Sequence, residues 1–313
     1  MRLPAGPRLA MVLVSGVAIV TMAGCTAAPA PSSSPAALAT TTAAASSSAR
    51  PSASTAKPKA TAKPSKSSTS ARSSAPPTST PRVPASTASP APQIPAGRVI
   101  VLNPGHNGGN AANSAAINRQ VPAGFGQYKA CDTTGTETNG GYAEHAFNWD
   151  VSLRVRSLLQ AKGVKVIMTR SSDSGVGPCV DERARIGNQP GVAAVVSIHA
   201  DGARTDGHGF HVCEDSRQPG GAAVAAQSHA LTVAMHDSLL RGSGMTVSSY
   251  LGSNGYYPRS DLAGLNLATV PATFLEIGNM RNGGDAAQQS SADGRQQIAQ
   301  AVASGILSWL GSH

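Results

Sequence analysis

Four polar residues of this 313-residue chain stand where a strand would end or a helix begin. His106 closes the stretch Leu102-Asn103-Pro104-Gly105-His106, and Glu144 follows Tyr142-Ala143. His199 follows Val196-Ser197-Ile198, and Glu276 follows Phe274-Leu275. Two imidazoles and a carboxylate that leave a position open for water are the ligand set of a hydrolytic zinc site. A further carboxylate suits the general base that takes a proton from such a water. Each residue also has a plainer use. A Glu at a helix start favours the helix N-terminus, and a Glu at a strand end is commonly solvated. His145, His208, His211, His229 and His236 compete as ligands. His229 and His236, seven apart on an expected helix, are expected at the surface, and His145, beside Glu144, is expected to point elsewhere. The tight His-Glu-x-x-His motif does not occur in the sequence, so residue types alone leave the roles open.

The elements that must position these residues alternate. The apolar, β-branched run 98–102 reads as a buried strand. A long Gly-, Asn- and Thr-rich connection follows over 103–141, and loops of this length are usually functional. Phe147, Val151, Val155, Leu158 and Leu159 repeat at helical spacing, so 143–161 is expected as a helix that stops at Gly163. Strands are expected at 164–169, 193–198, 209–213 and 272–277. Helices are expected at 181–188, 222–240 and 285–310. Strands alternating with helices predict an α/β domain, one mixed and mostly parallel sheet flanked by helices. In open sheets of this kind the strand ends are where sites form.

Charge divides the chain. Of its 25 Lys and Arg, ten lie in residues 1–98, which hold no Asp or Glu. Residues 99–313 therefore carry 15 basic and all 16 acidic residues, a net of −1. The folded part is near neutral and has no basic stripe with interleaved aromatics, so nucleic acid is excluded as a partner. Arg2 and Arg8 precede an apolar run over 9–22 that is too short to span a bilayer, so 1–24 reads as an export signal. Met22-Ala23-Gly24-Cys25 resembles a bacterial lipobox, which would place a lipid anchor on Cys25. Ordinary cleavage near Thr26-Ala27-Ala28 is the alternative. Residues 25–96, nearly all Ala, Ser, Thr, Pro and Lys, bury too little to fold and read as a disordered tether. The catalytic domain is expected over 97–313, exported to the cell envelope, with a monomer as the default. Outside the cytosol disulfides persist. Cys131 and Cys179 lie in loop stretches and are the favoured pair, with Cys213 on a strand.

The stretches 99–109, 144–159, 166–170, 183–188, 196–201 and 271–282 fall in the order and at the spacings of the zinc-dependent N-acetylmuramoyl-L-alanine amidase family, often called amidase 3. The chain resembles that family over essentially all of 98–310, closest to the compact amidases of mycobacteria and related actinobacteria. The resemblance implies that His106, Glu144 and His199 bind Zn2+ and that Glu276 is the catalytic carboxylate. It implies hydrolysis of the amide between N-acetylmuramic acid and L-alanine in peptidoglycan or muropeptides. The family usually has Asp where this chain has Asn103, which implies a ligand oriented without a charged partner and a somewhat weaker metal site. Some relatives carry an extra helix that plugs the cleft. No additional acidic insertion follows His199 here, so the domain is expected to be active without an activator. The competing expectations are a zinc peptidase or deacetylase of the same wall, and a non-catalytic wall-binding lipoprotein.

Overall fold

The computed structural model describes residues 98–217 and 219–313. The export signal, the lipobox and the tether lie outside the described residues.

Five strands form the central sheet in the order β4-β1-β5-β7-β6. They are β1 (Val99–Pro104), β4 (Lys165–Met168), β5 (Val192–Asp201), β6 (His211–Cys213) and β7 (Ala272–Asn279). β4, β1, β5 and β7 run parallel, and β6 is antiparallel to β7 at the edge. The parallel strands therefore end on one side of the sheet, where His106, His199 and Glu276 are carried. The remaining strands, β2 (Gln120–Pro122) and β3 (Tyr128–Ala130), form a separate hairpin within the first connection.

Side chains alternate across the sheet, so each strand serves two faces. One face presents Ile100, Leu102, Val196, Ile198, Val212, Leu275 and Ile277 to the main core. It is covered by α2 (Glu144–Gln160), α4 (Ala222–Gly242) and α7 (Ala292–Ser312), whose buried residues Phe147, Leu239 and Ile306 join that core. The other face carries a smaller cluster around Val101, Val195, Cys213 and Phe274. There the short helices α3 (Val180–Gly187) and α5 (Ala263–Asn266) cover part of the sheet.

The expected fold class holds, with four differences in its parts. The connection over 103–141 contains α1 (Ser114–Ile117) and the β2–β3 hairpin, each too short to show a period. The last helix is two: α6 (Gly283–Ser290) and α7 meet at Ser291, which is extended and accepts from the Gly294 N–H as an N-cap. β5 and β7 run past their expected ends, to Asp201 and Asn279, so His199 sits within β5 and three strand residues follow Glu276. His236 is 8% exposed and not at the surface. The 250–257 loop folds over α4, where the His236 ring stacks on Tyr256 at 4.2 Å and its Nε2 meets the Asn254 carbonyl at 2.9 Å.

The expected pair Cys131–Cys179 is a disulfide, and Cys213 is an unpaired, buried residue of β6. The bridge joins the end of the hairpin to the start of α3, and the Val180 N–H donates to the Cys131 carbonyl beside it.

Candidate metal centre

The β1 strand ends at Pro104, and the chain turns sharply at Gly105 and His106. His106 has φ +57°, a left-handed conformation rare for a residue with a Cβ. Buried guanidiniums hold that turn. Arg183 donates to the carbonyls of Pro104 (2.7 Å) and His106 (3.0 Å), and Arg170 donates to Pro104 (3.1 Å) and Gly105 (3.3 Å). Gly105 is required by its neighbour: a Cβ there would lie 2.0 Å from the His199 ring. Backbone and imidazole are thus in direct contact, and any larger residue would displace His199.

His199 comes from the end of β5 and Glu144 from the first position of α2. Glu144 Oε1 lies 3.0 Å from His199 Nδ1 and 3.3 Å from His106 Nε2. One donor atom from each of His106, Glu144 and His199 lies within 4.8 Å of the others. The cluster is largely closed to solvent, with Glu144 4% exposed. Glu144 Oε2 accepts the Thr136 N–H at 2.9 Å, and Asn148, one turn along α2, donates to Oε1 at 3.2 Å. The His199 ring stacks on Phe274 at 4.2 Å.

The carboxylate that orients His106 is Asp132. Its Oδ1 lies 2.9 Å from His106 Nδ1, so that N–H donates to it and Nε2 is turned toward Glu144. Asp132 Oδ2 accepts from Arg183 at 3.3 Å. Asn103 makes no hydrogen bond to His106, Glu144 or His199. It bonds Ser197 (3.0 Å), Thr169 (2.7 Å) and Arg183 (3.2 Å), and so braces the floor of the cleft. The expectation that no charge orients the cluster does not hold, because Asp132, a loop residue, supplies one to His106.

Electrostatics set the three clustered residues apart from Glu276. Burial disfavours the imidazolium of His106, but Glu144 and Asp132 outweigh it and raise the group to about 10. Burial also opposes the charge of Glu144, and His106 with His199 overcome it and hold the carboxyl well below its usual range. His199 is lowered, chiefly by burial. Glu276 goes the other way. Burial first, then the neighbouring carboxylates Glu144 and Asp201, push it well above the usual range. It stands directly across the β5–β7 ladder from His199, so both side chains share the face that α3 and α5 leave open. A carboxyl tuned upward beside a tight His/Glu/His cluster is the pairing expected of a base next to a metal-activated water.

Two depressions meet at these residues. One, of about 220 Å³, runs past Phe274, Leu262 and Ala263 under hairpin residues Lys129 and Ala130. The other runs along 133–136 and past Asp201 and Gly202. His106, His199 and Glu276 line both. A substrate that extends on either side of its scissile bond fits this arrangement.

The family model for N-acetylmuramoyl-L-alanine amidase, Amidase_3, matches residues 100–308. The chain belongs to that family. It is 47% identical over 225 residues to an N-acetylmuramoyl-L-alanine amidase of Mycobacterium tuberculosis, covering 72% of this chain and 91% of that protein. Among solved structures it resembles the N-acetylmuramyl-L-alanine amidase Ami1 of Mycobacterium smegmatis, at 47% identity and TM-score 0.66, covering 70% of this chain and 99% of that one. The apo form of Ami1 from Mycobacterium abscessus is similar at 49% identity and TM-score 0.65, over 69% and 99% of the two chains. The protein is thus an enzyme, an N-acetylmuramoyl-L-alanine amidase of the compact mycobacterial kind.

Of the competing histidines, His145 pairs with Asp173 at 2.8 Å and His229 with Glu214 at 3.1 Å, both away from the cluster. The sequence reading missed Asp132 and Arg183 as parts of the site. Arg183 lies inside a stretch that resembles the family. Asp132 had one signal, its place next to Cys131, whose disulfide brings it to α3.

Proposed function

We propose that this amidase is a zinc enzyme in which His106, Glu144 and His199 hold the metal and Glu276 is the general base. Two imidazole nitrogens and one carboxylate oxygen converging within 4.8 Å are the observation that carries this reading. The donor set fits Zn2+, which favours nitrogen and carboxylate ligands and keeps an open position in hydrolytic sites. When bound, zinc supplies Lewis acidity toward the scissile carbonyl and toward water. Asp132 fixes the His106 ring with Nε2 inward, and Thr136 and Asn148 fix the two oxygens of Glu144. Glu276 takes the proton from the attacking water and returns it to the L-alanine nitrogen as the amide breaks. The two depressions on either side of Glu276 would hold glycan and stem peptide of peptidoglycan or a muropeptide. Residues 202–210, between β5 and β6, form a short connection with no helix assigned to them, which supports a cleft that works without an activator. In the cell envelope, Cys25 would carry a lipid and residues 26–96 would tether a monomeric domain to the membrane.

The test is metal content and muropeptide hydrolysis, read by mass spectrometry, for the purified chain and its Glu276→Ala variant. About one zinc per chain in both, and free stem peptide from the parent alone, is the expected result. Release of free acetate would instead indicate a deacetylase. A parent without zinc would overturn the ligand assignment.

A further inference from the structure

Two buried polar atoms beside the metal centre have no hydrogen-bond partner in the protein: Glu276 Oε2 and His211 Nδ1. They belong to residues directly opposed on the antiparallel strands β6 and β7. Opposed residues on such strands put their Cβ atoms about 4.5–5.5 Å apart on one face, so the two side chains stand side by side. His211 is 1% exposed. Its ring lies edge-on to two tyrosine rings, Tyr250 at 6.2 Å and Tyr257 at 5.6 Å. Tyr250 is itself fixed by donating its hydroxyl to Asp201 at 3.0 Å. An imidazole sealed in this way and left without a partner is costly, and buried polar groups of folded proteins are overwhelmingly satisfied, often by trapped water. Asp201 and Arg259 are the charged groups near this ring, and the neighbour directly opposed to it, with an unpartnered atom of its own, is Glu276.

We propose that His211 is a positioning residue for Glu276. Through one trapped water, its ring fixes the Oε2 end of the carboxyl while the rest of the group faces the cleft. The row His199, Glu276, His211 across β5, β7 and β6 then has a division of labour. The first imidazole belongs to the ligand cluster, and the second holds the base. Burial, the largest influence on His211, lowers it to about 4, so the ring is neutral under working conditions. A neutral imidazole offers one donor and one acceptor nitrogen. Nδ1 donates in one tautomer and accepts in the other, so by exchanging tautomers the ring can serve the carboxylate before proton uptake and the carboxylic acid after it, which a Lys or Arg could not.

This inference rests on the reading of Glu276 as the base, and the test separates the two. Steady-state muropeptide hydrolysis, zinc content and thermal melting would be measured on the full chain and on His211→Leu and His211→Gln. His211→Leu is expected to lose about tenfold or more in kcat with KM and zinc content unchanged. His211→Gln, which keeps a donor and an acceptor, is expected to recover most of that loss. A kcat for His211→Leu within about twofold of the parent would overturn the inference, as would a Gln variant as slow as the Leu variant. Should His211→Leu fail to fold, nitrogen-15 histidine NMR replaces it. The His211 ring resonances are expected to shift between the parent and Glu276→Gln, and unchanged resonances would overturn the inference. Full activity in Glu276→Ala would instead sink the base assignment on which this one stands.

Discussion

The two faces of the central sheet are built from the same strands and do opposite work. On one, Leu102, Ile198, Leu275 and Ile277 are sealed beneath three long helices with 0% exposure. On the other, the residues next to them, Asn103, His199 and Glu276, look into a cleft that α3 and α5 only partly cover. The alternation of a strand is what allows this. Leu275 anchors β7 from below, and the same backbone then presents Glu276 above with little freedom to move. Sites held on strands whose far side is a packed core are stiffer than sites held on loops. The loop-borne His106 shows the complementary solution, since two buried arginines and an aspartate hold it in place.

The sharpest way to break this comparison is to damage only the packed face. Leu275→Ala should cost about 2–5 kcal/mol of stability, read by urea unfolding of the metal-free chain. The zinc content and KM of the fraction that remains folded should stay near those of the parent. A large loss of zinc affinity with little loss of stability would show that the faces are not separable.

Damage to the open face should have the opposite signature. Asp132→Asn keeps the shape but removes the charge that fixes His106. It should weaken zinc binding by roughly 10–100-fold in competition with a chromophoric chelator. Stability of the metal-free fold should change less than for Leu275→Ala. An affinity unchanged within error would mean that the turn at Gly105 and the arginines suffice to orient the ring.

The pH dependence of the metal-free fold tests the two glutamates against each other. Glu276 is raised above its unfolded value, so it favours the fold when protonated and its contribution is lost as pH rises through the folded pKa. Glu144 is depressed, so its contribution is present above the unfolded pKa and lost as pH falls through the folded one. Glu276→Gln should therefore stabilise the metal-free chain at mildly alkaline pH, and the gain should vanish in acid. Melting curves across that range would check it, and a gain that grew toward acid would reverse the sign argued here.

The smallest effect is expected at Asn103. It bonds Ser197, Thr169 and Arg183 but none of His106, Glu144 and His199, so Asn103→Asp should change zinc affinity by less than about tenfold. A larger gain would mean that charge at this position acts through Arg183 on the Asp132–His106 pair.

What the sequence by itself determined is local and periodic. The strands 98–102, 193–198 and 272–277 and the helix from Glu144 follow from apolar runs and a 3.6-residue repeat, which are properties of adjacent residues. Residue types at strand ends and a helix start singled out His106, Glu144, His199 and Glu276 as candidates, and the resemblance to the family supplied their proposed roles. Only the tertiary structure decided what depends on residues far apart in the chain. Asp132 reaches His106 because a disulfide joins its loop to α3, and His236 is buried because a distant loop closes over it. His211 looked like one more histidine of an alternating strand, and it meets Glu276 through strand pairing between residues 65 apart, which no local pattern encodes. Contacts of that kind arise when the sheet assembles, so their partners cannot be read from neighbours in sequence.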